Sequence, residues 1–190
     1  MIKDLQAIVE RELATFQGVA HNVWGSQRTS ADQIEHAVRE QLLSVDSRFR
    51  RPVGPRAPGD IMWRGTDTVH INIKTTDLDK AFHMPNLISA DNLWRIFERG
   101  EHFFLLKIFH RSGQLDHTEF WNIKEVDWNR LQVSALGSGQ IQIRNGMTPL
   151  TAHQGDHDHW VKRWQQEMIK FYHKEITKIN KRIGKWEKRL

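Results

Sequence analysis

Cysteine is absent from all 190 residues. That removes disulfide scaffolds, thiolate metal sites and cysteine nucleophiles together, so any metal must sit on carboxylate, imidazole, amide or carbonyl groups. Long hydrophobic runs are missing too. No stretch approaches the ~18 apolar residues of a membrane span, and Met1-Ile2-Lys3-Asp4-Leu5 lacks the apolar run of a secretion signal. A cytoplasmic protein with no membrane partner is expected. There is no internal repeat, no low-complexity tract and no shift of composition that marks a second domain, so residues 1–190 read as one domain of ordinary size.

Charge is abundant and unevenly placed. The net charge is +5, but Trp160 to Leu190 carry ten Lys/Arg against three acids, a net of +7 that leaves −2 for the first 159 residues. A basic segment on a nearly neutral body suits a polyanion such as nucleic acid, and equally a solvated helix face. Within it Met168, Tyr172, Ile176, Ile179, Ile183, Trp186 and Leu190 recur at spacings of four and three, which predicts a long helix with one apolar seam. Lys170, Lys174, Lys181 and Lys188 precede seam positions by two residues, and with Lys178 and Lys185, one residue before Ile179 and Trp186, they are expected to line the opposite face. The seam is expected to be buried against the body or a second subunit.

Helical periodicity also opens the chain. Ile2, Leu5, Val9, Leu13 and Phe16 share one face, and after a break at Gly25–Thr29 a helix capped by Ser30 is expected to turn Ile34, Val38 and Leu42 inward. Pro52, Gly54, Pro55, Pro58 and Gly59 impose a loop. Asp60 to Trp63, a polar turn at Arg64–Asp67 and the alternating Thr68 to Thr75 then predict a β-hairpin. A helix over Ser89–Arg99 stopped by Gly100, a buried strand over His102–His110 and strands at Phe120–Val126 and Gln140–Arg144 complete an α/β or α+β pattern around a mixed sheet.

The hairpin carries the chemistry. A period of two puts His70, Asn72 and Lys74 on one face of its second strand, and a turn centred near Thr66 sets Asp60 opposite Asn72. Gly59-Asp60 opening a strand, a fourteen-residue step to Lys74 and apolar Ile73 between the polar pair resemble the PD-(D/E)XK nuclease superfamily, above all type II restriction endonucleases. The resemblance implies an α/β fold with a mixed sheet flanked by helices, here extended by a long basic carboxy-terminal helix. It also implies Mg²⁺-dependent endonuclease activity on double-stranded DNA and a homodimer with two identical sites. Asp60 becomes the metal-binding acid, Lys74 the water-positioning base or electrostatic stabiliser, and the metal set Asp60, Asn72 and Ile73. Asn72 stands where the family has its second acid, so it offers an amide oxygen but no charge. Ile34-Glu35-His36-Ala37-Val38-Arg39 looks like the family's preceding helix and makes Glu35 the helper acid.

Other readings stay open. Gln140, Gln142 and Arg144 on one strand face, with Asn145, suit hydrogen bonding to base edges. His153, His157 and His159 with Asp156 and Asp158 form a zinc candidate without a second ligand motif. Gly137-Ser138-Gly139 lacks the Lys-Ser/Thr ending of a phosphate loop. His21, His110, His117 and His173 read as structural, and Trp94, Trp128 and Trp164 as packing residues. A structure-selective nuclease and a catalytically silent DNA-binding protein are the rival functions.

Overall fold

A computed structural model describes residues 2–16, 27–54, 57–80, 82–134 and 139–189. Helix α1 (Ile2–Ala14) and helix α2 (Gln27–Val45) bury Leu5, Val9 and Leu13, and Ile34, Val38 and Leu42, as their spacing requires. α2 begins three residues before the expected cap, so Ser30 lies inside the helix. Gly25, Gly137, Ser138, Arg56, His21 and Leu190 lie outside the described residues.

Strands β1 (Phe49–Arg50), β2 (Ile61–Arg64) and β3 (Thr68–Asp77) come next, then β4 (Asn86–Ser89), helix α3 (Ala90–Glu98), β5 (His102–Arg111) and β6 (Gln114–Asn122). They form a five-stranded sheet in the order β1-β2-β3-β5-β6, in which only β3 and β5 run parallel. A parallel pair needs a crossover, and α3 lies in it. Its N-cap is Ser89, whose hydroxyl accepts the Asn92 N–H (3.3 Å). It ends at Gly100, whose φ of +68° suits a residue without Cβ. The fold is thus mixed α/β.

The two faces of the sheet bury different cores. Val69, Ile71 and Ile73 of β3 and Phe104, Leu106 and Ile108 of β5 pack under α1 and α2. Phe103 and Leu105 face the other way, toward α3 and a small sheet ordered β4-β8-β7, made with β7 (Leu131–Ser134) and β8 (Gln140–Ile143). The root of helix α4 (His157–Glu187) closes this second core through Trp160, Trp164 and Met168. Trp128 and Trp164 pack as expected, whereas Trp94 leans on Trp164 (5.9 Å between centroids) and stays 41% exposed.

One expectation is corrected and another is met in part. The strand placed at Phe120–Val126 runs earlier, over Gln114–Asn122, and residues Ile123–Glu125 form a 3-10 turn whose Lys124 N–H is accepted by the Asn122 side chain (3.1 Å). β6 pairs only with β5, so one edge meets no strand and its sequence, rich in Asp, His, Thr and Glu, shows little apolar alternation. The α4 seam meets the body only at its root, where Phe171 packs on the second core and Ile169 and Tyr172 lie beside Trp94; beyond Tyr172 the seam residues Ile176, Ile179, Ile183 and Trp186 are exposed.

Candidate functional site

The hairpin has the expected register. Ile61 pairs with Ile71 and Arg64 with Thr68, which centres the turn on Thr66. Asp60 brackets Asn72: its own N–H donates to Ile71 O (2.8 Å), and its Oδ2 accepts the Ile73 N–H (2.7 Å). Gly59 is required here because a Cβ would stand 2.8 Å from Ile71 O, a backbone atom that cannot swing away.

β3 runs on to Asp77 although β2 begins only at Ile61, so the β2-side edge of β3 is open beyond Ile71. Acids take the place of the missing strand. Asp60 holds the N–H of Ile73, and Glu35, reaching from α2, accepts the N–H of Thr75. In a strand the N–H and C=O of one residue point to the same side, so the Ile73 carbonyl faces this edge between the two carboxylates.

Glu35 is therefore brought to the hairpin, beside Lys74 and Asp60. Burial raises its pKa from 4.5 to about 7; the Lys74 cation opposes the rise, Asp60 and Asp32 add to it, and the Thr75 hydrogen bond opposes it. Asn72 is buried, and its Oδ1 has no hydrogen-bond partner. Leaving such an oxygen unpaired costs about 1–3 kcal/mol, which a donor or cation would offset. Lys74 is half-buried on the same face.

Two arginines border the set. A cleft of about 360 Å³ beside Asp60 is lined by Arg39 and Arg51, and Glu40 bridges them (Arg51 at 2.5 Å, Arg39 at 3.8 Å). Arg39 stands one turn after Glu35 on α2, so the helix that supplies the acid also supplies the cation. A neighbouring cleft of about 370 Å³ shares Gly54 and Ala57 and carries Arg95 and Arg99 from α3 and its C-cap. Arg48, by contrast, is held by Asp46 (2.6 Å) and lies over the Trp63 ring.

The base-reading strand does not present itself as expected. Gln142 is buried on the middle strand of the small sheet: its Oε1 accepts from Gln132 (3.2 Å) and its Nε2 donates to Asn86 (2.6 Å). Arg144 Nε donates to Leu131 O (2.7 Å), Asn145 Oδ1 accepts the Met147 N–H (2.9 Å), and Gln140 is half-buried. The amides tie three strands together, which exposed-strand reasoning does not anticipate. The zinc candidate is not assembled either: among the described residues no three His, Asp or Glu side chains are grouped to hold a metal, and Asp156 caps α4 by accepting the His159 N–H (2.7 Å). His110 is buried, and His117 stacks on Phe109.

Sequence reasoning passed over Lys107. It pairs in register with Lys74, is fully buried, and donates to Thr148 O (2.7 Å) with Glu119 at 3.7 Å. Burial lowers its pKa to about 8 against the pull of Glu119, and burial raises that of Glu119. A single lysine inside Phe103-Phe104-Leu105-Leu106-Lys107-Ile108-Phe109 is the signal that marks it. No protein-family model matches the chain and no curated protein matches it, so the geometry itself has to carry the reading.

Proposed function

We propose that the chain is a Mg²⁺-dependent endodeoxyribonuclease that hydrolyses phosphodiester bonds of double-stranded DNA, a cytoplasmic homodimer of the type II restriction kind. One observation carries the reading. Glu35 from α2, Asp60 from the loop just before β2 and Lys74 from β3 meet at one open strand edge beside the unpartnered Asn72 oxygen. The nearness of Glu35, the helper acid that the resemblance implies, to Asp60 and Lys74 supports this reading. Among the described residues no helix is long and apolar enough to cross a membrane.

The residues present fit a hard cation: a carboxylate at Asp60, a buried amide oxygen without a partner at Asn72 and the edge-facing carbonyl of Ile73 are all oxygen donors. Bound there, Mg²⁺ would offset the negative charge that grows on phosphorus. The remaining work falls to the chain. Lys74 offers N–H donors that orient the attacking water against the phosphate. Glu35, whose pKa burial raises to about 7, takes in its ionised form the proton that water loses as its oxygen bonds to phosphorus, while the opposite P–O bond breaks and its leaving oxygen takes a proton from solvent. Arg39 and Arg51, with Arg95 and Arg99 beyond the loop, provide cationic contacts for the neighbouring phosphates.

The test is incubation of a supercoiled plasmid with the protein and Mg²⁺, and again with a chelator. Discrete bands in Mg²⁺ alone, lost in Asp60→Ala and Lys74→Ala, are the expected result. The internal ladder of Gln142 favours a second reading, a nuclease that selects DNA by shape, for which only branched substrates would be cut. Metal-independent binding without cleavage of either substrate overturns both in favour of a silent binder.

A further inference from the structure

Helix α4 runs clear of the body beyond Tyr172, and its apolar stripe is left largely exposed there. Ile169, Tyr172, Ile176, Ile179, Ile183 and Trp186 are each between 42% and 66% exposed. Their spacing alternates three and four. That is a heptad seam, with Ile169, Ile176 and Ile183 at one core position and Tyr172, Ile179 and Trp186 at the other, running ~26 Å at ~1.5 Å per residue. The outer positions are lysines: Lys170, Lys174, Lys178, Lys181, Lys185 and Lys188.

We propose that a second copy of this chain covers the seam, the two α4 helices pairing as a coiled coil. The residues that flank the seam fit a copy of themselves. Glu175 and Arg182 border it on one side and His173, Asn180 and Glu187 on the other. With parallel helices, Arg182 of one copy faces Glu187 of the other, one heptad step on. With antiparallel helices, Arg182 faces Glu175. In either direction the cation meets an acid.

The area suffices. At roughly 200 Å² for a fully exposed large side chain, the six exposures leave roughly 600 Å² per chain, so a pair buries ~1,200 Å², within the range of specific interfaces. Trp94 continues the strip onto the body, where Ile169 and Tyr172 line a groove with it. The other natural occupant of a basic amphipathic helix is a lipid surface, but that calls for a broad apolar face, and two seam positions per heptad make a narrow one. This pairing deepens the homodimer of the proposed function. It rests on that reading only for its consequence, that two sites travel on one particle.

The test uses the full chain in chelator, without DNA, so that its failure is separate from failure of the nuclease reading. Light scattering at micromolar concentration should give twice the chain mass. Ile176→Lys with Ile183→Lys should halve it with the far-ultraviolet circular dichroism of the body retained, and Lys174→Gln with Lys181→Gln should leave it unchanged. Because the chain has no native thiol, Ile179→Cys should be joined to its copy by a short bis-maleimide, a readout that does not depend on the lysine variants folding. A monomeric wild type overturns the proposal, whether or not it binds anionic phosphatidylserine vesicles. So does a dimer that survives the two isoleucine-to-lysine changes and is not linked at position 179. Cleavage by a monomer would leave the nuclease reading standing, and a dimer that never cuts would leave the pairing standing.

Discussion

Replacing Glu35 by Gln should stabilise the metal-free protein, and only above the pH at which an ordinary carboxylate ionises. In the folded chain Glu35 titrates at about 7 against 4.5 when free, chiefly because burial disfavours its anion. The folded state therefore holds a proton that the unfolded state gives up. Below pH 4.5 both states are protonated and nothing is lost. Stability falls as pH rises from 4.5 to about 7, and the full penalty persists above that. At ~1.36 kcal/mol per tenfold change in proton affinity, the penalty is about 1 kcal/mol at pH 5 and about 3 kcal/mol at pH 8, an upper value because water screens a partly exposed group. Gln keeps the length and an oxygen to accept the Thr75 N–H but carries no charge, so the variant escapes the penalty. Urea unfolding of both proteins in chelator at pH 5 and pH 8 measures it. The variant's advantage should grow by about 2 kcal/mol between the two, and at pH 8 its midpoint of thermal unfolding should be higher by roughly 5–10 °C. An advantage that is the same at both pH values, or none at pH 8, would show that Glu35 ionises freely and does not belong to a desolvated cluster with Asp60 and Lys74.

Four further outcomes are expected. Asp60→Ala and Lys74→Ala should each lower plasmid cleavage by at least ~10²-fold with circular dichroism unchanged, and wild-type rates in either would remove that residue from the site. Asn72→Asp should keep or raise Mg²⁺-dependent cleavage while Asn72→Ala impairs it; full activity in Asn72→Ala would end its part as an oxygen donor. Glu119→Ala should destabilise the fold by about 3–5 kcal/mol by leaving buried Lys107 without its acid, whereas Lys107→Met with Glu119→Leu should be nearly neutral in denaturant unfolding; equal losses in both would contradict a desolvated pair. Arg39→Gln with Arg51→Gln should reduce the log-log salt slope of DNA binding by about one for each phosphate no longer neutralised, while Lys174, Lys178 and Lys181 changed to Gln should leave it unaltered; the reverse would move the DNA track onto α4.

Much of the fold is legible because its elements obey a single period. The β2–β3 hairpin announces itself by alternation and a polar turn, α3 by a serine cap and a glycine stop, and β5 by an uninterrupted apolar run. β6 hides because an edge strand has one side in water, and its polar side chains break the alternation that marks a half-buried strand. Gln142 misleads for a related reason. Polar residues on a strand normally mean solvent, yet three amides from three strands here satisfy one another, a pairing that no local window of sequence contains.

The seam of α4 exposes the deeper limit of periodicity. A heptad states that a helix has something to bury; it does not state against what. Up to Met168 the answer is the body, because Trp160 and Trp164 find Phe97 and Trp128 there. Past Tyr172 the same helix carries the same kind of stripe, but the body has ended, and the stripe narrows to the two positions per heptad that suit another helix. Asp60, Glu35 and Lys74 present the complementary case. The hairpin's period sets Asp60 against the strand of Lys74, but no period places Glu35 there; it is drawn in because β3 outruns β2 and leaves amides at Ile73 and Thr75 that acceptors from outside β2 satisfy. Two acids answering two orphaned amides gather negative charge at an edge where Asn72 already holds an unpaired oxygen. That concentration of oxygen donors calls for a counter-charge close by, and Lys74 supplies it from the chain.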